Sequence, residues 1–112
     1  VSSKYKLGNA YLHGIGVTKD EVAAAKWFLA AAETGHSDAQ ATIGRLYTDG
    51  IGVDQNYIEA YKWYLLAGNQ CNDDAEERIP LMDEILTSDQ RAEGQRLAKE
   101  WQGSRIRGFR YY

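Results

Sequence analysis

One short stretch is written twice in this chain: YLHGIGV at 11–17 and YTDGIGV at 47–53, 36 positions apart. A repeat of this period constrains a fold strongly, because each unit can bury its apolar face only against its neighbour. The register holds through both units without a gap. Gly8 meets Gly44, Ala24 meets Ala60, and Lys26-Trp27 meets Lys62-Trp63. Leu29 meets Leu65, Ala31 meets Ala67, and Asp38-Ala39 meets Asp74-Ala75.

Each unit reads as a pair of helices. Ala39, Ile43, Leu46 and Tyr47 fall on one stripe at i, i+4, i+7 and i+8. Ser37 with Gln40 has the spacing of a capping box at that helix's start. GIGV then breaks the helix, since its glycines allow positive φ and its β-branched residues continue a helical turn poorly. After the break, Ala24, Trp27, Phe28 and Ala31 form a second apolar stripe, matched by Ala60, Trp63, Tyr64 and Ala67. Thr18 with Glu21 reads as the cap of this second helix, and Asp54 takes the cap position in the next copy. Gly35 suits the left-handed residue that closes unit one. Gly8 and Gly44 lie mid-helix, where glycine costs about 1 kcal/mol relative to alanine, so close helix–helix approach is expected there.

A third copy begins and drifts. Asp73 with Glu76 repeats the cap and Ile79 repeats Ile43, but Pro80 takes the glycine position and Asp83 the tyrosine position. Pro80 predicts either a kink or a later helix start. Leu86-Thr87-Ser88 replaces GIGV, and Thr87 with Gln90 can cap a last helix over about 88–102. A terminal unit that turns polar is how a stacked array ends. The expected organisation is therefore one domain over 1–102, with repeats at about 1–36 and 37–72, capping helices at about 73–102, and a tail at 103–112. Val1 stands where Ser37 stands one unit later. The first helix thus lacks its expected cap, so either Ser2 or Ser3 substitutes or the parent protein extends upstream.

Composition limits function. The 112 residues are one domain's worth, and the net charge of −3 argues against a nucleic-acid binder, which needs a basic face. The single cysteine, Cys71, permits no internal disulfide, and His13, His36 and Cys71 lack zinc-site spacing. No cofactor is expected. No apolar run is long enough to span a bilayer, and no signal peptide is visible. GIGV is not a phosphate loop, because no G-x-x-x-x-G-K-[ST] follows and no strand precedes it. Ser3-Lys4-Tyr5-Lys6 matches the S-x-x-K nucleophile spacing, but its companion motifs are missing. Asp73-Asp74 and Glu76-Glu77 sit at a helix start, where the helix dipole favours them. The chain is expected not to be an enzyme. The aromatics Trp27, Phe28, Tyr61, Trp63 and Tyr64 read as core rather than as a ligand cage.

The pattern at Leu7-Gly8, Tyr11, Gly14 to Val17, Asp20, Ala24, Trp27, Ala31-Ala32 and Gly35 resembles a Sel1-like repeat. Ile43-Gly44, Tyr47, Gly50 to Val53, Ala60, Trp63 and Ala67 match it again, and the two copies cover about residues 3–71. Leu86-Thr87 with Arg96 to Trp101 is similar to the closing helix of many bacterial members. The second copy departs from the pattern at Gly68 and Cys71, where alanine and glycine are usual. The resemblance implies an all-α, right-handed α/α superhelix related in shape to tetratricopeptide arrays. It implies a scaffold that binds a protein or peptide segment on its concave face. Relatives with paired cysteines are linked to β-lactam binding or hydrolysis, which is the alternative function, but this chain lacks the pairs. Family habit leans toward a bacterial, extracytoplasmic protein.

In related solenoids the first helix of each pair lines the concave surface. Its outward positions here are Lys6, Asn9 and His13, then Thr42, Arg45 and Asp49, with Arg78 continuing the row. This mixed polar wall is expected to hold a peptide. The tail carries Arg107, Phe109, Arg110, Tyr111 and Tyr112, and basic-plus-aromatic composition fits docking into a neighbour's groove, loose packing, or single-stranded nucleic acid. Three arginines in the tail are few for phosphate affinity. A short array leaves self-association open.

Overall fold

The computed structural model describes the backbone of residues 3–110 and the side chains of residues 3–102. Six helices follow one another: α1 (Ser3–His13), α2 (Glu21–Glu33), α3 (Ser37–Asp49), α4 (Tyr57–Gly68), α5 (Asp73–Ile85) and α6 (Ser88–Arg110). No strand occurs among the described residues. α1 pairs with α2 and α3 with α4, while α3 stacks on α2 and α5 on α4, so the hairpins pile up in chain order. This is an α/α solenoid. The last helix departs from the pattern by packing chiefly across α4. Its backbone stays helical to Arg110, past the end expected near 102.

The turns explain why the glycines recur. Gly50 closes α3 in the left-handed region at φ 68°, and its N–H donates to the Leu46 carbonyl. The Ile51 N–H also donates to Leu46 O, at 3.0 Å, as Ile15 N–H does to Ala10 O at 2.8 Å. The chain then returns alongside the helix it has left. Asp20 N–H donates to Tyr11 O and Asn56 N–H to Tyr47 O, both at 2.9 Å.

Those two bonds correct the expected caps. Asp20, not Thr18, caps α2, and Asn56, not Asp54, caps α4. Pinning Asp20 and Asn56 to the preceding helix holds each in extended backbone, from which its side-chain oxygen accepts from the second and third helical N–H groups. The first helices shift by one residue. His36 Nδ1 accepts from Ala39 N in place of Ser37, and Asn72 Oδ1 accepts from Ala75 N in place of Asp73. Gln40 leaves the capping role because it is buried and donates to the Ala32 carbonyl of α2 at 3.1 Å. The Thr87/Gln90 box forms as expected, with each side chain accepting from the other's N–H.

Helices meet where side chains are missing. A Cβ on Gly8 would lie 2.8 Å from the Phe28 ring, and one on Gly44 would lie 2.9 Å from the Tyr64 ring. Each glycine thus lets the two helices of a hairpin approach across one aromatic face. Ala24, Ala25, Phe28, Ala31 and Ala32 of α2 form one core with Ala39, Ile43 and Leu46 of α3 and Trp63 and Leu66 of α4. Trp63 meets Trp101 of α6 edge to face at 5.8 Å. Pro80 neither starts α5 nor ends it; the helix runs through it, and Pro80 stands exposed at the position of Gly44. Cys71 adopts φ 62°, the left-handed conformation that Gly35 takes one unit earlier. The departure from the pattern at Cys71 therefore keeps the turn but holds a non-glycine residue where one is strained.

Candidate functional site

The 36-residue register places three outward positions on each first helix. Lys6, Asn9 and His13 lie on α1, Thr42, Arg45 and Asp49 on α3, and Arg78 on α5. Lys6, His13, Arg45 and Asp49 are exposed, while Asn9, Thr42 and Arg78 are half-buried. Thr42 spends its hydroxyl donor on the Asp38 carbonyl at 2.8 Å, within its own helix.

The charges of Arg45, Asp49 and Arg78 all act on one buried group, the Tyr64 phenol. Burial raises the pKa of the Tyr64 phenol; the Thr48 hydroxyl, Arg78 and Arg45 pull it back down, and Asp49 pushes it up. Asn72 Nδ2 donates to Asp38 Oδ1 at 3.0 Å, a direct side-chain link between the starts of α3 and α5.

The same register extends the row to residues that the sequence reading passed over. Leu81 stands where Asn9 and Arg45 stand, and Ile85 where His13 and Asp49 stand. Both are largely exposed, Leu81 at 55% and Ile85 at 53%. Large aliphatic side chains held in water on a helix are informative when they continue a candidate binding row. The wall thus changes character along the array. α1 carries Lys4 and Lys6 with no acidic residue, whereas α5 carries six acidic residues and one arginine.

Other expected sites stand as follows. The side chains of Arg107, Phe109 and Arg110, and the whole of Tyr111 and Tyr112, lie outside the described residues. Ser3 and Lys6 are exposed on the first turn of α1. Among the described residues, no group of three or more His, Cys, Asp or Glu side chains could hold a metal ion. No helix among them is long and apolar enough to cross a membrane. Of the aromatics expected in the core, Phe28, Tyr61, Trp63 and Tyr64 are buried, but Trp27 is only half-buried.

Stacked hairpins with a 36-residue period and glycine-broken turns define a helical-repeat protein of the solenoid class. The Sel1 repeat family model matches residues 1–36 and 37–70, and the chain belongs to that family. Sel1 repeats generally serve as non-catalytic scaffolds for protein interactions. Among solved structures, the chain is similar to c5321, a protective antigen of uropathogenic Escherichia coli strains that displays an SLR fold. Identity is 36% and the TM-score 0.83, over 88% of this chain and 21% of that one. It is also similar to a Sel1 repeat protein from Oxalobacter formigenes, at 38% identity and TM-score 0.67, over 68% of this chain and 31% of that one. The chain therefore spans less than a third of the length of either solved relative. No curated protein matches it.

Proposed function

We propose that the chain is an interaction module that holds an extended or helical peptide segment of another protein along the outward faces of α1, α3 and α5. One observation carries the reading. Positions related by 36 residues stay accessible on successive first helices while the opposite faces of those helices are buried in the core. Arg45, Asp49 and Arg78 offer charge and hydrogen bonds at the middle of the row. Leu81 and Ile85 offer an apolar end, and anchors of this kind are where binding energy concentrates. The chemistry available is recognition rather than reaction.

The test starts by selecting peptides from a displayed library against the intact chain, then measuring their affinity for Arg45→Glu and Leu81→Glu variants. The expected result is a loss of about tenfold or more for each, equivalent to about 1.4 kcal/mol, with the helical circular dichroism unchanged. Selected peptides that bind both variants as tightly as the parent would place recognition elsewhere.

A further inference from the structure

We infer that the end of the solenoid formed by α1, its following loop and the outer side of α2 is an acceptor surface for one more helical hairpin of the same kind. The proposal stands apart from peptide binding on the outward row. It rests on repeat two, which shows how such a surface is used.

In repeat two the surface is closed. Ile43 has no exposed area, and Ile51 and Val53 pack on the core that contains the α2 alanines. A Cβ on Gly52 would lie 2.1 Å from the Glu21 carbonyl oxygen, so this loop rests directly on the first residue of α2. Gln40 donates to the Ala32 carbonyl near the end of α2. On α4, Trp63 and Leu66 are buried in the same core.

Moving back 36 residues gives Lys4, Leu7, Ile15, Gly16, Val17, Trp27 and Ala30. The backbone is alike, with Gly16 and Gly52 both at φ 74°, but the surroundings are gone. Leu7 is 37% exposed, Ile15 64% and Val17 39%. Among the described residues, nothing lies within 4 Å of a Cβ placed on Gly16. Trp27 lines an open, mainly apolar groove with Ala23, Lys26 and Ala30. The stacking interface between repeats thus continues onto this end of the molecule, already shaped and uncovered.

That continuity names the occupant. It is a helical hairpin whose second helix shows small residues, as α2 shows Ala24, Ala25, Ala31 and Ala32 to α3. Lys4, in the place of Gln40, would donate to the last carbonyls of that helix, where a cation is favoured. The far end of the same chain does not offer such a face. The face of α4 that corresponds to the alanine face of α2 is taken by α6, with Gly94 against Tyr61, and the exposed side of α6 carries Arg96, Lys99 and Glu100, so head-to-tail stacking of two copies does not fit.

The experiment extends the full chain by a second copy of residues 1–36, which carries the alanine face of α2, placed directly ahead of Val1. The register of 36 is kept, and a copy of His36 then precedes Val1 as His36 precedes Ser37. The expected result is a single unfolding transition with its midpoint raised by about 5 °C or more. Ile15→Glu, and separately Leu7→Glu, should cancel most of that gain in the extended chain. Each should move the parent chain's midpoint by no more than about 2 °C, as for an ordinary surface substitution. An unchanged midpoint, two separate transitions, loss of helical signal on extension, or equal losses in both chains would each overturn the inference.

Discussion

The two GIGV loops, 14–17 and 50–53, share their letters and their backbone but not their surroundings. Ile51 and Val53 are packed on the core, whereas Ile15 and Val17 face solvent. Ile43 is wholly buried, and Leu7, its counterpart, is not. In a solenoid the energetic weight of a residue is set less by its own unit than by whether a neighbouring unit lies against it. Equivalent substitutions in the two repeats should therefore give unequal effects, and the size of the inequality measures the stacking.

The largest effect is expected at the second glycine of the loops. Gly52→Ala must strain a left-handed residue and also push its Cβ into the Glu21 carbonyl. A cost of about 3 kcal/mol or more is expected, against about 1 kcal/mol for Gly16→Ala, where only the backbone strain applies. Urea denaturation of the two variants checks this, and equal costs would break the comparison. Ile43→Ala should follow, at roughly 3 kcal/mol from lost burial and the cavity left behind, with Leu7→Ala below about 1 kcal/mol. The helix caps sharpen the contrast because they are local. Asp20→Ala and Asn56→Ala should each cost about 1 kcal/mol, with no difference between repeats. A large inequality there would mean that the repeats differ in more than their neighbours.

The smallest effect concerns alkaline pH. The phenols of Tyr47, Tyr61 and Tyr64, all in repeat two, are raised above 10.0, in each case chiefly by burial. Tyr61 is raised further by donating to Asp83 at 2.7 Å. The unfolded chain gives up these protons first. The stability they contribute is complete below about pH 10 and is lost as pH rises through the raised values. Thermal midpoints measured from pH 9 upward should fall, and Tyr64→Phe should flatten the fall.

Much of the fold was legible because the period of 36 aligns glycines, aromatics and alanines without a gap. Gly8 and Gly44 announced close helix approach, and the Phe28 and Tyr64 rings supply it. What could not be read depends on contacts distant in sequence. The caps moved from Thr18 to Asp20 and from Asp54 to Asn56 because a backbone bond to Tyr11 or Tyr47 fixes which residue is extended. Trp27 looked like core by helical spacing, yet its burial requires a unit that its own helix cannot supply. Leu81 and Ile85 were reachable by carrying the register into α5. Pro80 in the glycine position and Asp83 in the tyrosine position hid it there, since both break the pattern for reasons local to the last unit. Asp83 in fact earns its place by accepting from Tyr61.

Native-state amide hydrogen exchange tests the stacking most directly, because it reads the opening free energy of each helix separately. The slowest amides are expected in α3 and α4, around Ile43–Leu46 and Trp63–Ala67, which have packed neighbours on both sides. The amides of α1 should exchange through openings of distinctly lower free energy. Protection of α1 equal to or greater than that of α3 would contradict stacking as the source of stability.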